Sequence, residues 1–304
     1  GGGTVTNDER PVIGRPYIDV HAHIGDTINR VPPVDQTPEK LLARMAESGV
    51  VASIVCPAAG GPQARGVVDT REQNEAAATA CRTYPDRYPL GLAIIEVHQL
   101  QAGVDEIERA MRDSALAGFM NHSGISGHAM GPELWPALEV VDARGGLVLL
   151  HVGGGGTEAR AAQHAKRFTR TTFITAHVSM RPEQHRAAIE HLAGLENVWA
   201  DFAQHPLADD PSWDIADLAR QFGADRLLFG SDSPYYDHRI LQGQIERAPL
   251  AEEVKDRIAW RNATDLIRRF RPEWEPKNTP TPMPEAFAGT DLWALQPGSR
   301  GRLL

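Results

Sequence analysis

Two histidines set two residues apart, His21 and His23 in the run YIDVHAHI (residues 17–24), are the side chains best placed to do chemistry. On a strand, residues i and i+2 leave the same face, so the two imidazoles converge; on a helix they would diverge. The flanking Ile18, Val20, Ala22 and Ile24 are expected to fill the opposite face. Two neutral imidazoles from one strand make half of a metal site. Residues able to complete it close later apolar runs: His151 in LVLLHVG (147–153), His177 in TTFITAHV (171–178) and Asp232 in RLLFGSDSP (226–234). Three imidazoles with a carboxylate suit one borderline divalent ion, zinc first, with manganese or iron as alternatives. An open position would hold a water whose pKa the ion lowers toward neutrality. Asp232 would then touch the ion and take a proton from that water, while His177 stands just outside and polarises water or substrate. A lone buried histidine is more often a satisfied core or capping residue, and GSDSP also reads as a plain turn. Four histidines and one aspartate in order at strand ends outweigh both readings.

Such residues need strands that end together. Eight apolar runs begin near Tyr17, Val50, Leu90, Leu116, Leu147, Thr171, Val198 and Leu227, about thirty residues apart, as repeated strand-plus-helix units require. Helical patterns lie between them. Pro38–Gly49 has Thr37 as its N-cap and Gly49 as its stop. Val104, Ile107 and Met111 share one helical face, as do Leu134, Leu138 and Val141; Ile215, Leu218, Ala219 and Phe222 form the cleanest i, i+3, i+4, i+7 set. Strict alternation implies a parallel sheet, and ligands on runs one, five, six and eight converge better on a barrel than on an open doubly wound sheet. The expected architecture is α/β: a single (β/α)8 TIM-type barrel over residues 17–270, preceded by an extension (1–16). A proline-rich arm (271–304) follows, in which Trp274 and Trp293 suggest docking, on this barrel or on a partner subunit.

Composition narrows the function classes. The chain has 304 residues, 41% of them hydrophobic, which suits one large domain. Its formal charge of −9 and lack of a Lys/Arg run argue against nucleic acid as a partner. No apolar stretch reaches the ~20 residues of a membrane span. The polar start lacks a signal pattern, and Cys56 and Cys81 sit in apolar contexts, so reduced thiols and a cytoplasmic location are expected. Three more histidines, His98, His122 and His205, fall at apparent strand ends and would line a pocket for a polar substrate, joined by Asp201. Each alone reads more simply as a loop residue. Arg65, in the glycine-rich loop 58–66, and Arg181 are candidate anchors for a substrate carboxylate, against the plainer reading of solvated loop arginines.

DVHAHIG, LLHVGG, TFITAHV, FGSDSP and RNATDLI (261–267) together resemble the amidohydrolase superfamily, more narrowly its amidohydrolase-related branch of decarboxylases, lactonases and other hydrolases. The resemblance runs from about Tyr17 to Phe270. It implies a metal held by His21, His23, His151 and Asp232, with His177 beside the activated water. Binuclear members carry a bridging carboxylated lysine on strand four. The four lysines here, Lys40, Lys166, Lys255 and Lys277, all lie outside LAGFMNHSG (116–124), so one metal is implied. A glycine pair that often follows the strand-six histidine is replaced by Ser179 and Met180 after Val178. The leading expectation is a hydrolase that opens a small polar lactone or amide. Its rival is a non-oxidative decarboxylase of an aromatic or unsaturated carboxylic acid, and a non-catalytic binding barrel is a remote third. By analogy with relatives, a homodimer is the expected assembly.

Overall fold

The computed structural model describes residues 14–26, 35–58, 64–277 and 279–289. Strand β1 (Tyr17–Asp26) pairs in parallel with β3 (Val50–Pro57) and antiparallel with the short β2 (Asp35–Gln36), which the sequence pattern had not indicated. Six further parallel strands follow in spatial and chain order: β4 (Ala93–Ile94), β5 (Gly118–Asn121), β6 (Leu147–His151), β7 (Thr172–Ala176), β8 (Val198–Asp201) and β9 (Leu227–Leu228). Backbone bonds join the two sheets on both sides. Val55 and Leu92 bond on one side (2.9 Å); on the other, Val20 donates to Phe229 O (3.0 Å) and His23 to Ser233 O (2.7 Å). This is an α/β fold of the TIM type, with each of the eight expected runs supplying one parallel strand.

Helices alternate with the strands. They are α1 (Pro38–Ser48), α2 (Val67–Thr83), α3 (Gln101–Asp113), α4 (Ser123–Ser126), α5 (Trp135–Ala143), α6 (Thr157–Arg167) and α7 (Pro182–Leu192), then α8 (Ile215–Leu218), α9 (His238–Arg247), α10 (Glu252–Asp256) and α11 (Asn262–Arg268). Helix α1 starts and stops as its sequence dictates. Thr37 Oγ1 accepts from the Lys40 amide (3.1 Å), and Gly49 takes the left-handed conformation, φ 72°, that ends the helix. The set Ile215–Phe222 is helical but widens after Leu218 into a π turn (Ala219–Gly223). None of the described helices is long and apolar enough to cross a membrane.

Period-two alternation sorts the strand residues into two layers. Val148, Leu150, Phe173, Val198, Ala200 and Phe229 pack outward against the helices. Ile18, Val20, Leu147, Leu149, Ile174, Trp199 and Leu228 fill the interior, closed below by Ala263, Leu266 and Ile267 of α11 and by Trp274. Strand β1 breaks its own alternation. Between Asp19 and Ala22 it carries one residue more than β3, a β-bulge. Ile18 and Val20 therefore belong to the interior, whereas Ala22 and Ile24 belong to the outer layer. The expectation that all four share the face opposite the histidines is corrected by this bulge, which turns His21 and His23 inward above an apolar floor.

The first part of the arm lies on its own chain. Trp274 is buried and donates from Nε1 to Asp86 O (3.3 Å), and Thr281 Oγ1 donates to Val50 O (2.7 Å). Trp293 lies outside the described residues.

Candidate metal centre

Each candidate side chain leaves the carboxyl end of its strand. His151 is the last residue of β6 and Asp201 of β8; His122 follows β5, His177 follows β7, and Asp232 lies just beyond β9. Pairing of β1 with the segment after β9 brings Asp232 to the histidines, since the Asp232 amide donates to His21 O (2.7 Å). His21 Nε2 and His23 Nε2 are 3.1 Å apart, and Asp232 Oδ1 lies 3.1 and 3.0 Å from them. Ligand atoms sharing an ion at ~2.1 Å stand roughly 3.0–3.4 Å from one another, so these separations would suit a common ion.

The outward nitrogens of the same rings are fixed. His21 Nδ1 meets Asp201 Oδ2 (3.1 Å) and His23 Nδ1 meets Pro57 O (3.1 Å); oxygen acceptors at Nδ1 leave Nε2 with a lone pair. His177 Nδ1 donates to Val152 O (2.7 Å), so its Nε2 accepts, and the donor is His151 Nδ1 at 2.9 Å. That relay strips the proton from His151 Nε2, which is buried with no hydrogen-bond partner, as is Asp232 Oδ1. Two orphaned buried acceptors beside two bare imidazole nitrogens fit a cation. His21, His23 and His151 offer one nitrogen each within 4.8 Å of the others.

Electrostatics agree. Burial opposes a charge on His21, yet Asp232 and Asp201 raise its pKa well above the ordinary value. Against the same burial, His21 and His23 hold the Asp232 carboxyl well below its usual range. Burial and the imidazoles of His21, His177 and His122 push His151 far down, and burial lowers His177. The centre thus favours positive charge beside Asp232 and a neutral lone pair on His151.

Second partners hold this arrangement. Asp201 serves both histidine elements: Oδ2 takes His21, and Oδ1 accepts the amides of His177 (2.8 Å) and Ala203 (2.9 Å). Gly230 is required beneath it, because a Cβ there would stand 2.9 Å from the Asp201 Cβ. Asp19 clamps the two segments that carry the candidate ligands, accepting the amides of His21 (3.0 Å) and Ser231 (2.9 Å), and is itself bound by His238 Nε2 (2.9 Å). Three non-glycine residues of the centre, His177 (φ 45°), Gln204 (φ 60°) and Asp232 (φ 60°), sit in the left-handed region that side chains rarely adopt.

The structure brings together His21, His23, His151, His177 and Asp232, with His122 beside them; its ring centroid is 4.7 Å from that of His151. The other candidates are engaged elsewhere. His98 is exposed and bonded to Ser126 O (2.8 Å). His205 is buried between Gln244 and the Trp213 carbonyl. Arg65 is exposed and paired with Asp69 and Glu72; Arg181 is exposed, with Glu183 at 3.9 Å. Sequence reasoning passed over Gln204, whose Nε2 donates to Asp232 Oδ2, and the orienting role of Asp201. Asp201 ends an apolar run as the ligands do, and that was a usable signal. Gln204 had none.

The amidohydrolase family model matches residues 18–269. No curated protein matches the chain. Among solved structures, it is similar to 5-carboxyvanillate decarboxylase from Sphingomonas paucimobilis (TM-score 0.60, 16% identity, 83% of this chain and 99% of that one). It is also similar to 2,6-dihydroxybenzoate decarboxylase from Rhizobium (TM-score 0.61, 18% identity, 84% and 99%). A third is dihydroxybenzoic acid decarboxylase from Polaromonas sp. JS666 with bound manganese and 2-nitroresorcinol (TM-score 0.62, 16% identity, 84% and 97%). With the family match spanning the whole barrel, from the first histidine strand to the last helix, the chain belongs to the amidohydrolase family of enzymes.

Proposed function

We propose that this enzyme is a metal-dependent hydrolase that opens a small polar lactone or amide at the carboxyl end of its barrel. The observation carrying the reading is Asp232: a buried carboxylate held ionised, one oxygen among the histidine nitrogens and the other fixed by Gln204. A group kept unprotonated is set to receive a proton from water rather than to deliver one to carbon. His21, His23 and His151, through Nε2, and Asp232 would hold one divalent ion. When bound, such an ion polarises a carbonyl and lowers the pKa of water toward neutrality. His177 fixes the tautomer of His151, and Asp201 that of His21. Zinc and manganese both suit the N/O donor set, and manganese is the ion of the Polaromonas neighbour.

Decarboxylation of a small carboxylic acid is the second reading. It is favoured by neighbours of the same fold that are named as decarboxylases. Lactones, amides and aromatic acids incubated with metal-replete protein in 18O-labelled water separate the two. Label in the product, abolished by Asp232→Asn, is the expected result. Release of carbon dioxide without label would overturn the hydrolytic reading.

A further inference from the structure

Behind the candidate metal centre, three buried side chains form a hydrogen-bonded line that no step of the proposed chemistry uses. Ser179, two residues past His177, places Oγ 2.7 Å from His185 Nδ1 on α7. His185 Nε2 in turn lies 2.8 Å from Asp217 Oδ2 on α8. Ser179 and His185 have no exposed surface, and Asp217 is 2% exposed. The order is that of a Ser-His-Asp triad, but a hydroxyl closed off from solvent cannot meet a substrate. The line therefore holds something in place.

Its direction follows from its acidic end. A carboxylate only accepts, so His185 Nε2 donates to Asp217. Arg220 and Gln221 Nε2 (2.7 Å) donate to Asp217 as well, so that carboxylate has a counterion without a charge on His185. Among the described residues Ser179 Oγ has no other partner. A ring protonated at both nitrogens would leave the Ser179 proton without an acceptor, so Ser179 donates to His185 Nδ1. At the far end stands His177, at φ 45°, a backbone state that persists only where its surroundings over-determine it. Asp201 grips one side, accepting the His177 amide (2.8 Å) at Oδ1 and the Val178 amide (3.1 Å) at its carbonyl. Ser179 grips the other, through α7. We infer that Ser179, His185 and Asp217 are positioning residues for His177. They fix the turn after β7 so that His177 Nε2 meets His151 Nδ1 (2.9 Å) and keeps the proton off His151 Nε2. This rests on the metal centre proposed above, and not on which reaction that centre performs.

Zinc titrated into the full-length protein against a competing chelator tests the inference. Ser179→Ala should bind zinc about 10-fold more weakly, as expected for an outer partner of a metal site. Ser179→Cys, whose thiol is a weak donor, should recover part of that loss. Asp217→Asn should also weaken binding. The double variant should lose no more than the larger single loss, since both changes break one line. Additive losses, or wild-type affinity in variants whose thermal midpoints fall, would reduce the three residues to a brace between helices. In the metal-free protein, 15N–1H correlation of labelled histidines should show His185 as the neutral Nε2–H tautomer; a proton on Nδ1 would overturn the direction of the line. Failure of the wild-type protein to bind one zinc ion per chain would defeat the metal centre instead.

Discussion

The two ends of the parallel strands are made of opposite materials. At the amino end, Ile18 and Leu147 meet Ala263, Leu266, Ile267 and Trp274 in an apolar plug. At the carboxyl end, five imidazoles and the carboxylates of Asp19, Asp201 and Asp232 are buried or half-buried together, and three residues hold left-handed backbone. Buried charge and strained backbone each cost stability, and they persist only where the surroundings over-determine them. The apolar end offsets what the polar end costs. The strands place stability at one end and chemistry at the other, and the β1 bulge is where a single strand changes from the first duty to the second.

Substitutions that strike one end alone should therefore separate the two properties. The largest expected effect is Asp232→Asn, which should lower turnover by on the order of 10³-fold while leaving the thermal midpoint of the metal-free protein little changed. A collapse of folding in this variant would show that the polar end also carries the structure. Trp274→Ala should do the reverse, costing about 3–5 kcal/mol in unfolding free energy with the ion's affinity unchanged below the midpoint. Weakened metal binding there would break the division.

Between these lies Asp201→Asn, which keeps the shape and one oxygen for the His177 and Ala203 amides but sets an NH2 donor where Oδ2 faced His21 Nδ1. An ion titrated against a competing chelator should bind about 10–100-fold more weakly, because His21 loses the partner that fixes its tautomer. Equal affinity in variant and wild type would leave Asp201 with its backbone bonds as its sole role.

A one-proton effect away from both ends completes the series. His164 accepts from Trp135 Nε1 at Nδ1 (3.3 Å) and donates from Nε2 to Met130 O (2.9 Å), a neutral pattern, and burial lowers its pKa below the ordinary 6.5. A folded-state pKa lower than the unfolded one means the unfolded chain binds the proton more readily. This contribution to stability is complete above about pH 6.5 and is lost as pH falls through the folded value. His164→Gln, able to keep both bonds without titrating, should show a flatter fall in stability between about pH 7.5 and 5.5. An identical pH slope would assign the fall to other groups.

Much of this was legible in the chain because it depends on spacing. His21 and His23 at i and i+2, and polar residues closing apolar runs at His151, His177 and Asp232, report the strand period and the barrel end directly. The cap and stop of α1 were equally local. What stayed hidden depends on partners distant in sequence. The bulge in β1 is a register difference with β3, visible only once the strands pair. Arg65 could be read as an anchor until Asp69 and Glu72 occupied it, and His205 as a pocket residue until Gln244 and Trp213 did. Histidine polarity, which separates His122 from His151, is set by a backbone amide in one case and a distant ring in the other.

In the proposed centre, His21, His23 and His151 would present bare Nε2 atoms to one ion shared with Asp232. Diffraction from crystals of the manganese-loaded protein, recorded for the anomalous signal of the metal, tests it most directly. One peak per chain is expected, about 2.0–2.2 Å from those three nitrogens and from one Asp232 oxygen. A peak bound instead through His122, or one lacking His151, would contradict it.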